Sequence, residues 1–220
     1  GKLSIALFLL ALGTLARSVC FEFRLRAPFE QQHWWQLGFA LGSVLTAFSH
    51  GVLLALVIIN YDDDRNYVWF LAFMGFCAVA AYVLLGASWL LMRESGELRF
   101  RAVVWGRRAV RWFAAGAVAA SVVLSLANPG VLLKWSEGAP RGAVLLLWLA
   151  ILIGFVVIEM TLQRLLNVSA RTTAVPFVIT LAIFIAVLFG LAFSFFPFLV
   201  LDQITLWDAA ADVQTLQFIW

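Results

Sequence analysis

Hydrophobic and polar positions along this chain separate into six long apolar blocks joined by short polar stretches. The blocks fall at 3–19, 34–59, 67–92, 109–128, 142–163 and 174–197. Each approaches or exceeds the roughly 20 residues that a helix with a rise of about 1.5 Å per residue needs to cross the hydrocarbon core. Inside the blocks the pattern is continuous: 145–158 carries no charged residue and does not alternate. Strands of a transmembrane barrel alternate over about ten residues, so barrel strands are excluded. The predicted fold is all-α, a polytopic transmembrane helical bundle of six spans forming a single membrane domain over 1–220. The stretch 93–111, where arginines interleave with apolar residues, reads as an amphipathic segment at the membrane face.

Composition supports this reading. Of 220 residues, 64% are hydrophobic and 12% charged, with a mean hydropathy of +0.99, and a soluble domain has no means of burying so much apolar surface. Charge then supplies an orientation. Arginines occupy alternate polar stretches: Arg17, Arg24 and Arg26 in the first, Arg93 to Arg111 in the third, Arg164 and Arg171 in the fifth. The opposite side has only Lys2, Arg65, Lys134 and Arg141 and gathers acid instead, at Asp62, Asp63, Asp64, Glu137, Asp202, Asp208 and Asp212. By the positive-inside rule the arginine-rich loops are cytoplasmic, as expected of a multi-pass protein of an inner (plasma) membrane. The net charge of +3 reports this topology, and no nucleic-acid partner is expected. Arginines around Trp105 read first as a solvated face and second as a contact for anionic lipid heads.

The first residue is Gly1, and 215–220 turns apolar again after a polar loop, so the chain reads as part of a longer polytopic protein. Cys20 and Cys77 fall at different depths and read as packing residues, without a disulfide framework. His33 and His50 are too few and too far apart for a closed metal site. Small residues at Gly38 and Gly42, then Ala47, Gly51 and Ala55, mark a groove in the second span that admits a close helix neighbour, from this chain or another.

Polar groups inside spans are the natural functional candidates, because hydrocarbon penalises them. His50 reads either as a haem ligand or proton relay, or as a packing histidine bonded to a neighbouring helix. Glu159 reads as a proton-relay carboxylate or as a side chain reaching toward the interface beside Gln163 and Arg164. Glu22 and Arg26 are spaced to pair on a helix face. Together with Arg17 and Arg24 they form a charged cluster at a span end.

Three motifs carry the reading further: Arg17-Ser18-Val19-Cys20-Phe21-Glu22-Phe23-Arg24; Gly86 to Trp89 followed by Arg93-Glu94-Ser95-Gly96-Glu97-Leu98; and Phe196-Pro197-Phe198 followed by Leu206-Trp207-Asp208-Ala209. In this order, at span boundaries, they resemble subunit II of the cytochrome bd-type quinol oxidases, with this chain corresponding to spans three to eight. The resemblance implies a complex that oxidises quinol, reduces dioxygen to water and draws protons from the cytoplasm. It places haem b and haem d in a partner subunit I and expects no cofactor or catalytic residue on this chain. Subunit II then stabilises subunit I and contributes to proton delivery. The same resemblance leaves room for a small third subunit and for bound membrane lipid or quinone. By motif position, Arg17, Glu22 and Arg24 become candidates for a proton-route cluster, and Trp207 with Asp208 a structural motif outside. Two alternatives remain at this stage, a small-molecule permease and a catalytically silent assembly scaffold.

Overall fold

A computed structural model describes residues 2–61, 67–136, 140–167, 173–200, 204–205 and 207. Asp62, Asp63, Asp64, Arg65, Glu137, Arg171, Asp202, Asp208 and Asp212 lie outside the described residues. The six apolar blocks form six helices long and apolar enough to span a membrane. They are α1 (Lys2–Arg26), α2 (Gln32–Ile58), α3 (Val68–Arg93), α4 (Gly96–Ala127), α6 (Pro140–Asn167) and α7 (Val175–Phe195), with a short α5 (Pro129–Ser136) between α4 and α6. Beyond α7, Phe198–Val200 pairs antiparallel with Ile204–Thr205.

The boundaries follow local chemistry. α1 runs past its apolar block to Arg26, and Pro28 then disfavours helical geometry in the residue before it. The stretch 93–111 comprises the end of α3 and the first half of α4. The helix breaks only at Glu94 and Ser95; Gly96 takes φ +70°, a left-handed conformation that glycine adopts without penalty, and α4 then runs unbroken. α5 was not legible as a helix, yet Pro129 suits a first turn and Asn128 closes the helix before it. The Asn128 amide donates to Ile58 O (2.8 Å) and Leu124 O (3.2 Å), satisfying final carbonyls of both α2 and α4 while itself 4% exposed.

Helices α3, α4, α6 and α7 close into a ring, each packing on the next and α7 returning to α3; α1 and α2 form a hairpin attached through α2 to α3. The ends carrying Arg26, Arg93 and Arg164 gather at one end of the bundle, called here the basic end. Leu84, Leu91, Val103, Ile158 and Leu162 fill the core of the ring toward that end. Leu56, Ile58, Met74 and Leu124 fill a second core toward the opposite end. Phe113 stands where α4, α6 and α7 meet, edge-on to Phe155 (5.2 Å between centroids) and tilted against Phe184 (4.9 Å).

The small residues of α2 serve two neighbours, both within this chain. A Cβ on Gly42 would stand 2.8 Å from Arg17 N and 3.0 Å from Gly13 O, so Gly42 and Gly13 let the α1 and α2 backbones touch. Gly38 accommodates the Cys20 sulfur on the same face. Gly51 faces the other way, against Met74 O and the Cα of Gly75 on α3. The step from Gly42 to Ala47 is five residues, about 140° around the helix, which turns the second half of the stripe toward a different neighbour.

Candidate functional site

An apolar cavity of about 420 Å³ opens between α2, α3, α4 and α7. Its wall is built from Gly51, Met74, Cys77, Phe113, Gly116 and Leu188 among others. Gly116 receives the Cys77 side chain, which packs Cys77 away from any partner thiol. Two side chains bring nitrogen or oxygen to this wall, His50 and Tyr82. Their polar atoms meet, with Tyr82 Oη 3.3 Å from His50 Nδ1 and the rings 5.9 Å apart. His50 is therefore bonded to a neighbouring helix.

Glu159 lies between α6 and α4 at the basic half of the ring. Its Oε1 accepts from Arg107 Nε (3.2 Å), Arg107 Nη2 (3.1 Å) and Arg111 Nη2 (3.1 Å). Its Oε2 is buried without a hydrogen-bond partner among the described residues. The carboxylate neither stands alone nor reaches outward; it cross-links two helices through charge-assisted bonds. Arg107 and Arg111 escaped the sequence reading because they lie 52 and 48 residues away. A depth argument would have found them. Arg111 is 17 residues before Asn128 and Glu159 is 17 residues after Gly142, so antiparallel helices place them level. A second polar contact of this kind joins α3 to α7, where the buried hydroxyls of Ser88 and Thr180 lie 3.0 Å apart.

The predicted cluster on α1 is only partly assembled. Glu22 pairs with Arg26 (3.6 Å) on an exposed face, as its spacing predicted. Arg17 and Arg24, seven residues apart, share one stripe of the helix, while Glu22 sits about 140° around from Arg17. Arg17 is exposed and has no ion-pair partner among the described residues, although Arg26 and the helix end lie about 13 Å further along. Phe21, Phe23, Trp34 and Trp35 surround this end as an aromatic belt, with Phe23 stacked on Trp35 at 4.8 Å.

At the opposite end, the two halves of the third motif meet, Phe196 lying edge-on to Trp207 at 5.9 Å. Lys134 of α5 reaches the last turn of α7 and donates to Phe193 O (2.5 Å) and Phe196 O (2.6 Å), a cation at the negative end of a helix. Desolvation holds the Lys134 ammonium below the ordinary lysine value. Trp135 Nε1 donates to Ser194 beside it.

Fold and site together define a polytopic α-helical membrane protein, tied at one end by arginine–carboxylate bonds and at the other by caps on helix termini. The family model for cytochrome bd terminal oxidase subunit II matches residues 1–220, the whole chain, and the chain belongs to that family. It is accordingly a subunit of a quinol oxidase, an oxidoreductase complex of respiratory electron transport that includes a subunit I. No curated protein matches it.

Proposed function

We propose that within the oxidase this chain stabilises the haem-bearing subunit I and supports proton delivery, with the basic end facing the cytoplasm of a bacterium and Arg17 supplying a fixed positive charge on the route. When bound in subunit I, haem b and haem d supply the electron transfer from quinol to dioxygen. This chain's own residues hold and place charge. The observation that carries the reading is Arg17, a guanidinium on an exposed face of a membrane-spanning helix with no ion-pair partner among the described residues. An unpaired charge at that depth is costly, which favours an acidic partner from a neighbouring segment or subunit. Held beside such an acid, Arg17 keeps it ionised and orders the protons that pass it. Glu22 and Arg24 lie further toward the cytoplasmic surface, where they set the local charge at the mouth.

The test replaces Arg17 in the oxidase complex. Arg17→Gln is expected to lower oxygen-linked proton uptake roughly tenfold, the effect of one pK unit on the facing acid, while haem content falls far less. Normal haem content with unchanged turnover would overturn the proton-route role and leave a topology anchor. Arg17→Lys keeps the charge and is expected to retain most of the activity.

A further inference from the structure

We infer that the arginine stripe on α4 binds one anionic glycerophospholipid, its phosphate on Arg108 and Arg111 and its acyl chains in the two apolar grooves that flank the helix. This rests on α4 crossing the membrane and is independent of any role for Arg17.

Depth is the first support. Arg108 lies 20 residues before Asn128, which closes α4 at the opposite end, and 20 residues of helix span about 30 Å, the thickness of the hydrocarbon core. The guanidinium groups therefore sit at the level of lipid phosphates. Trp105 and Trp112, both substantially exposed on the same helix, occupy the position of interfacial aromatic rings.

Charge is the second. Arg107, Arg108 and Arg111 line a cleft of about 170 Å³ with Val104 and Leu166. Glu159 neutralises one of the three positive charges, and it is held mainly by Arg107, which gives it two donors. Arg111 gives it one and keeps 65% of its side chain exposed. Arg108 has no ion-pair partner among the described residues and is exposed. The cleft thus holds two uncompensated positive charges at phosphate depth. A zwitterionic headgroup would bring an ammonium against them, whereas an anionic headgroup would not.

Shape is the third. A groove of about 300 Å³ between α4 and α6 runs from Arg111 along Ala114, Phe155, Val156 and Met160. A second of about 510 Å³ between α3 and α4 runs from Arg108 along Phe76, Val79 and Val83. Arg111 borders the cleft and the first groove, and Arg108 borders the cleft and the second. One charged cleft feeding two apolar channels matches a phosphate carrying two chains.

The experiment uses the oxidase complex in nanodiscs of phosphatidylcholine, titrated with phosphatidylglycerol and read by native mass spectrometry of retained lipid. Phosphatidylglycerol is expected to bind with one equivalent that Arg108→Gln weakens about fivefold, the effect of one basic residue near the surface. Arg101→Gln, whose arginine is paired with Glu97 farther from the core, is expected to leave that equivalent unchanged. Ala114→Trp fills the α4–α6 groove and is expected to weaken the diacyl lipid without lowering haem content. Equal losses in Arg108→Gln and Arg101→Gln would overturn the site, as a general charge effect. Displacement of the lipid by millimolar inorganic phosphate, or full retention in Ala114→Trp, would overturn the part played by the chains.

Discussion

The hairpin α1–α2 and the ring α3–α4–α6–α7 solve the same problem in different ways. Lipid offers no hydrophobic drive between helices, so contact has to come from van der Waals packing and polar bonds. The hairpin uses backbone approach: Gly13 and Gly42 meet with no side chain between them, and Arg17, Thr46 and Cys20 pack around that contact. Little of α1 is otherwise covered, only 11% of its span being buried. The ring instead interlocks large side chains such as Leu84, Ile158 and Leu162, and then adds the Glu159 and Ser88–Thr180 bonds. A single glycine therefore matters more to the hairpin than any single polar group matters to the ring, and α1 keeps a broad face free for a neighbour.

The comparison can be broken most directly at the glycines. Gly42→Leu drives a side chain into Arg17 N and Gly13 O, and Gly51→Leu drives one into the α3 backbone. Each is expected to cost about 3 kcal/mol or more, seen as collapse of the thermal transition and loss of assembled oxidase. Gly86→Ala, where nothing lies within 4 Å, is expected to stay within about 0.5 kcal/mol of the parent. If Gly42→Leu assembles normally, the hairpin does not depend on close backbone contact.

Next in size is Glu159→Gln, which leaves Arg107 and Arg111 facing a neutral amide. Because the carboxylate side chain is 26% exposed, the expected cost is about 1–3 kcal/mol and not the larger value of a fully buried pair. A double-mutant cycle with Arg107→Met checks it, and a coupling near zero would show that α4 and α6 are held by apolar packing alone. A smaller effect than at Glu159 is expected at Ser88 and Thr180. Removing either hydroxyl should cost about 0.6–2 kcal/mol, whereas Ser88→Ala with Thr180→Val together should come close to neutral, since no unsatisfied group remains.

Much of this was legible beforehand for a simple reason. Spans show in hydropathy because each transmembrane helix satisfies its own backbone, so its existence needs no partner. The Glu22–Arg26 pair was legible because both members lie on one helix. The continuity of 93–111 with the third and fourth spans was not legible, because arginine content masks a helix that continues out of the membrane. The partners of Glu159 and His50 lie on other helices, and hydropathy carries no record of which helix stands beside which. The small-residue stripe of α2 was visible, but its five-residue step had to be read as a change of direction before its two neighbours could be told apart.

What the chain's sequence determined alone is a set of six membrane helices, the sorting of their charges to opposite ends, and membership in the cytochrome bd subunit II family. Only the tertiary structure decided that Arg107 and Arg111 clasp Glu159, that Tyr82 engages His50, and that α1 stands apart from the ring. Those outcomes depend on lateral packing between residues tens of positions apart, set by the fit of side chains across helices and not by the affinity of any one helix for lipid.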